Sequence, residues 1–251
     1  MFIVLIGASL IGLSLGILGS GGAILTVPML IYGLGYSEKV AIASALVIVG
    51  TISATTALIG IKQKKINWTL VIYFGGPSMI SAYLGAWGSS YISGSTQVTV
   101  LAIVMLGAAW RMFRAFKVQA PNDLNRLLTI VQGIIVGLLT GFVGVGGGFL
   151  IVPALVLLGG VVMSHAIFTS LVVISINSAS GFIQYQSILH ENNQLLDWPA
   201  IALISMIGIA GSFIGQYYSM NLPQKKIKNT FATFLVIMAV FILCQSLLMN
   251  T

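Results

Sequence analysis

Residues 12 to 28 read GLSLGILGSGGAILTVP and residues 137 to 153 read GLLTGFVGVGGGFLIVP, 125 positions apart and identical at nine of seventeen places. A glycine-studded apolar segment that occurs twice predicts a duplicated, membrane-embedded unit whose two copies face each other across a centre. The repeat continues past the glycines. Ala41, Ile42, Leu46, Val47, Ser53 and Ala54 recur as Ala166, Ile167, Leu171, Val172, Ser178 and Ala179, and Trp68 recurs as Trp198 at an offset of 130.

With 58% hydrophobic and 6% charged residues in 251, a water-soluble domain would expose more apolar surface than water tolerates. Six apolar runs approach the ~20 residues that cross a bilayer as helix: Val40 to Ile61, Trp68 to Ile92, Gln97 to Phe116, Ala166 to Leu189, Trp198 to Met220 and Thr230 to Met249. No basic stretch precedes the first apolar residues, so Met1 onward reads as mature protein. Cys244 is the single cysteine, which excludes an intrachain disulfide and any multi-thiolate metal site.

The net charge of +7 does not point to nucleic acid, because the basic residues cluster at the ends of apolar runs: Lys62, Lys64 and Lys65; Arg111, Arg114, Lys117 and Arg126; Lys225, Lys226 and Lys228. Lys39 stands alone. If Arg126 to Gly160 were one ordinary crossing, seven basic residues would fall on the cytoplasmic side and four outside. If that segment dives in and returns to the same side, ten of eleven fall inside. The expected fold is therefore all-α and polytopic, with two inverted repeats. Each repeat is a re-entrant helical hairpin followed by three transmembrane helices. The repeats span 1–116 and 126–251, joined by a cytoplasmic linker at 117–125, in the inner membrane with both termini outside.

In lipid, a non-helical turn persists only where protein, water or ligand satisfies its backbone. The runs Gly19-Ser20-Gly21-Gly22 and Gly144-Val145-Gly146-Gly147-Gly148 read as such turns, each opening a short helix up to Pro28 or Pro153. Free N–H groups and the positive end of a helix dipole suit an anion without any charged side chain. Other glycines read as packing stripes of small residues: Ala8, Gly12 and Gly16; Gly133, Gly137 and Gly141; Ser81 with Gly85; Gly211 with Gly215.

These paired segments resemble a known family. The GxLGxGGxxLxVPxL-like pattern, the stretches Ala41, Ser44, Ala45, Leu46 and Ala166, Thr169, Ser170, Leu171, and the Trp opening the next helix are similar to the TauE/SafE membrane permeases, often called sulfite exporters. The resemblance covers essentially the whole chain. It implies passage of sulfite, sulfoacetate or another sulfur-containing organic anion. The first motif departs from the second, with Ser20 and Ala23 where the second has Val145 and Gly148.

The expected binding set is the amides of Ser20, Gly21 and Gly22 in one half and of Val145, Gly146, Gly147 and Gly148 in the other. Hydroxyls recurring in both halves, Ser44 with Thr169 and Ser53 with Ser178, join it with Asn177. Gln184, Tyr185 and Gln186 read as an interfacial polar end, and Pro77 as a kink. The acids Glu38, Asp123, Glu191 and Asp197 lie in loops or at helix ends, so no intramembrane carboxylate offers a proton relay or sodium ligand. His165 reads as interfacial. No metal set and no nucleotide motif is present in the sequence, so neither catalysis nor a cofactor is expected. The leading expectation is alternating-access transport of a small anion, with the bilayer as the other partner and no nucleic acid. A channel for a neutral or cationic solute and a non-transporting scaffold stand beside it. Proton or sodium coupling and oligomeric state are left open by the sequence.

Overall fold

The computed structural model describes residues 2–114, 126–144, 148–157, 161, 163–219 and 223–249, and the described residues form helices and no strands. In the first half, α1 (Phe2–Leu18) ends at Gly19 and Ser20, and α2 (Gly21–Pro28) runs on through a π-helical turn at Met29–Gly33. Next comes α3 (Glu38–Lys62), with Glu38 in its first turn and Lys62 in its last, each matching the helix dipole. α4 (Trp68–Leu70), a π turn (Val71–Gly75) and α5 (Gly76–Gly88) follow without a gap, and α6 (Gly94–Arg114) closes the half. The second half repeats the order as α7 (Arg126–Val143), α8 (Gly148–Leu157), α9 (Met163–Glu191), α10 (Trp198–Ser219) and α11 (Gln224–Met249). The expected linker at 117–125 lies outside the described residues.

Among the described residues, five helices are long and apolar enough to cross a membrane: α3, α6, α7, α9 and α10. This set differs from the six expected runs in an instructive way. The run from Trp68 is segmented by its π turn just before Pro77, whose ring removes a backbone donor. Within α11 the stretch Asn229–Gln245 is apolar as well. Conversely α7, read as a hairpin arm, has 18 residues and is itself long enough to cross.

The small-residue stripes bring two pairs of helices into backbone contact. A Cβ on Gly12 would strike the Gly208 carbonyl, one on Gly16 the Ser212 carbonyl, and one on Gly211 would lie 3.1 Å from the Ser9 carbonyl. Partner numbers rise together, so α1 and α10 run parallel. α7 lies on α4–α5 in the same way, with Gly133 on Phe74, Gly137 on Ser78, and Gly141 on Ala82. The expected packing role of these stripes is what the structure shows.

At the centre, α3 and α9 are the most enclosed of the five long helices: 61% and 67% of their most apolar stretches are buried, against 39–44% for the others. They cross antiparallel, since Gly60 meets Phe168, Gly50 meets Ser178, and Leu46 meets Gly181. Outward-facing Ile6, Ile72, Ile80 and Met206 give the rim an apolar surface fit for lipid.

Two ends follow from these directions. One gathers Tyr36, Lys39, Ser89 and Asp197, because the Tyr36 hydroxyl donates to Asp197 Oδ2 (2.8 Å) and Lys39 Nζ donates to the Ser89 carbonyl (2.6 Å). The other gathers Lys65 over the Phe168 ring (5.7 Å), Arg126 over the Tyr73 ring (5.3 Å), and the Asn67 amide donating to Thr169 Oγ1 (3.0 Å).

The Tyr36–Asp197 bond ties the two halves together at their first end. The Ala200 amide, and after it the Tyr36 hydroxyl, hold the Asp197 carboxyl below its ordinary 3.8. Burial, then the hydrogen bond and charge of Asp197, push the Tyr36 phenol up to about 12. A lowered carboxyl contributes its stabilisation fully above the unfolded value and loses it as pH falls through the folded one. The unfolding temperature of Tyr36→Phe should therefore sit slightly below wild type by a constant gap across neutral pH, and the gap should close in acid below 3.8.

Candidate functional site

Gly19 and Gly144 both have φ of +73°, a left-handed conformation that glycine adopts without a Cβ penalty. Each seats on the other half. A Cβ on Gly19 would press on Ile167, in α9, and one on Gly144 on Ile42, the equivalent position in α3. Ile42 and Ile167 are each the fifth residue of their helix. The turns therefore lie beyond the middle of the arms they end, farther along than a midplane hairpin tip would be.

Beyond the first turn, Ser20 holds the cap position of α2 with φ −160° and ψ −10°, yet its side chain makes no capping bond. A Cβ on Gly148, the first residue of α8, would stand 3.0 Å from Ser20 Cβ and 3.1 Å from Ile174 Cδ1, so the starts of the two return helices touch. Gly21, Gly22 and Gly148 are buried there. Val145, Gly146 and Gly147 lie outside the described residues.

The hydroxyls around this junction are unusual. Serine and threonine in helices normally bond a carbonyl three or four residues back, as Thr56 does to Ile52 (2.7 Å) and Ser170 to Ile167 (2.8 Å) on these same helices. Ser20, Ser44, Ser53 and Ser178 do not. Each Oγ is buried without a partner among the described groups, as is Asn177 Oδ1. A buried polar atom left unpaired costs about 1–3 kcal/mol, so each of these four hydroxyls is costly to the fold.

The expected residues divide in two. Ser178 packs on Gly50, three residues before Ser53, while Ile174, four before Ser178, packs on Gly148 and so next to Ser20. Ser178 and Ser20 thus lie one turn of α9 apart at the α3–α9 crossing, with Ser53 one turn along α3 from Gly50. Asn177 adjoins Ser178 in the chain and donates through Nδ2 to Ser78 Oγ (2.7 Å). Ser44 and Thr169 lie nine positions before Ser53 and Ser178, about 13 Å away along each helix. Thr169 is engaged by the Asn67 amide.

One element was read differently from sequence. Tyr185 is not an interfacial end but fully buried. Its hydroxyl accepts from Ser89 Oγ (3.0 Å) and Gln97 Nε2 (2.8 Å); Gln97 also donates to the Phe142 carbonyl (2.5 Å) and accepts from Lys39 Nζ (2.6 Å). The network satisfies a carbonyl at the end of α7, just before Gly144. In the first half the equivalent Ile17 carbonyl takes a single bond from Ser219 Oγ (2.9 Å). The signal was in the repeat, since Gln97 and Tyr185 stand where the other half has Ile227 and Gly60. Gln97→Leu leaves Lys39 and the Phe142 carbonyl short of partners, and should lower stability in detergent by about 1–3 kcal/mol in a denaturant titration.

The sequence profile described as "Sulfite exporter TauE/SafE" matches residues 4–242. The chain belongs to the TauE/SafE family. It is similar to a probable membrane transporter protein of Xylella fastidiosa (strain 9a5c), 26% identical over 97% of this chain and 95% of that one. It is likewise similar to one of Methanocaldococcus jannaschii, 26% identical over 93% of each, and to YunE of Bacillus subtilis (strain 168), 27% identical over 97% and 96%. No solved structure matches the chain. Membership of TauE/SafE makes the protein a multi-pass membrane transporter.

Proposed function

We propose that this TauE/SafE member carries a small sulfur-containing oxyanion, such as sulfite, sulfoacetate or a related organosulfonate, by alternating access. The observation that carries this is the patch of Ser20, Ser53 and Ser178, whose buried hydroxyls lack partners beside two broken helices. In this reading the first amides of α2 and α8 face the anion with those hydroxyls. Asn177, Ser44 and Thr169 border its path.

An inverted-repeat architecture is part of the proposal. Exchanging the halves maps the parallel pair α1 and α10 onto α7 and α5, and maps α3 onto its antiparallel neighbour α9, as a two-fold axis in the membrane plane requires. The directions return each arm and its partner to the end where they began, which supports re-entrant hairpins. Ten of eleven basic residues belong by chain order to the Lys62 end. That asymmetry supports a cytoplasmic assignment of that end, in an inner membrane with both termini outside.

Energetics favour brief capture. A helix N-terminus contributes only about 0.3–1 kcal/mol to an anion, up to ~2 when partly buried. Residues 2–37, 40–61, 66–110, 127–164, 166–189 and 198–224 contain no charged or histidine side chain, so nothing there traps the anion permanently. Reversal potentials in proteoliposomes test the reading. A sulfite gradient should set the potential or drive flux, and sodium or ammonium gradients should not. A response to the cations alone would support the channel alternative, in which carbonyls at the breaks face the solute.

A further inference from the structure

A cavity of about 300 Å³ opens between α6, α7 and α8, away from the central patch. Its wall is apolar, with Gly107, Ala108, Val136, Leu150 and Ala154 among the lining residues, except for Arg111. Gly107 has open space where a Cβ would stand. The duplication supplies the comparison that gives the cavity meaning. α6 and α11 share one burial pattern at an offset of 130, from Gln97 with Ile227 to Met112 with Ile242. Around the first broken helix, the residues equivalent to Gly107, Ala108, Arg111 and Ala154 are Ile237, Met238 and Phe241 of α11 and Met29 just after α2. There the space is filled: Met29 reaches Gly7, and Phe241 packs edge-on against Tyr32 at 5.8 Å. One copy is plugged by bulky side chains. The other is hollow and carries a cation.

Among the described residues, that cation has no carboxylate to answer it. The described acids Glu38, Glu191 and Asp197 belong to the Tyr36 end, whereas Arg111 lies near the far end of α6, 17 residues and about 25 Å from Gly94, which packs on Glu38. Beside it Arg114 stacks on the exposed Trp110 ring at 4.2 Å, an arrangement suited to the headgroup level of a leaflet. We propose that this cavity holds an acyl chain of an anionic phospholipid, with its phosphate on Arg111. A basic group at the mouth of an apolar pocket between membrane helices has the complementarity for that ligand. The bound lipid packs α6 against both arms of the second broken helix, where side chains fill the equivalent space around the first.

The test uses the full chain purified in detergent, with phosphatidylglycerol and phosphatidylcholine of identical chains, read by native mass spectrometry and by thermal unfolding. Wild type should retain phosphatidylglycerol in preference by about fivefold, and unfold at higher temperature with it. Arg111→Gln should reduce the preference to parity. Gly107→Ile with Ala154→Met, which imports the plugged copy's residues, should abolish retention of both lipids while raising the lipid-free unfolding temperature. Equal retention of the two lipids by wild type would overturn the proposal. So would an undiminished preference in either variant, or an equal stabilisation by glycerol phosphate alone. A change in the KM for sulfite on Arg111→Gln in pure phosphatidylcholine vesicles would instead make the cavity a substrate portal and also refute it.

Discussion

Replacing Ser53 and Ser178 together by alanine should cut sulfite flux in proteoliposomes by about a hundredfold or more while leaving the protein as stable as wild type, or more so. The two effects have one cause. Each hydroxyl is buried without a partner, so each costs the empty protein about 1–3 kcal/mol that an alanine methyl does not. With an oxyanion present, each would make a hydrogen bond to a charged group, about 1.5–3 kcal/mol, and losing two exceeds a hundredfold at 1.4 kcal/mol per decade. Hydroxyls that only join helices behave in the opposite way, their loss lowering stability and sparing flux. Thr56, which bonds Ser212 Oγ at 2.7 Å and the Ile52 carbonyl, is the internal control. Unfolding temperature and initial flux measured on the same preparations separate the two roles.

The second large effect concerns glycines. Gly141→Ala places a methyl on the Ala82 backbone carbonyl, and no rotamer change can relieve that contact. α7 must then lift from α5, so the loss should reach or exceed the ~3 kcal/mol upper range for overpacking, seen as low yield and early unfolding in detergent. Gly88→Ala, whose added methyl meets nothing within 4 Å, should instead be neutral or gain up to about 1 kcal/mol from helix propensity. A helical glycine is thus not one kind of residue, and its neighbour decides the sign.

Much of this arrangement could be read from the chain because duplication writes each structural demand twice. Gly19 and Gly144 share both position in the repeat and backbone conformation. The stripes Gly12 with Gly16 and Gly137 with Gly141 became two equivalent interfaces. The sequence was least informative where the halves differ. Tyr185 and Gln97 lack polar counterparts, so the repeat marks each as an odd position without saying that they meet across α6, α7 and α9. Asn177 donates to Ser78 at the place where the first half sets Ile52 against Gly208. The recurring hydroxyls also split by tertiary context, because Thr169 meets a loop amide that Ser44 has no equivalent of. The breaks follow helices of 17 and 18 residues.

The central claim is that two broken helices enter from opposite sides, and the side occupied by the loop before α10 tests it most directly. In a Cys244→Ser background, single cysteines at Gly35, Lys64 and Asn193 would be labelled with a membrane-impermeant maleimide in sealed vesicles of known orientation. The account predicts that Gly35→Cys and Asn193→Cys react from one face and Lys64→Cys from the other. Labelling of Asn193→Cys from the Lys64 face would make the second glycine segment an ordinary crossing and contradict the inverted pair.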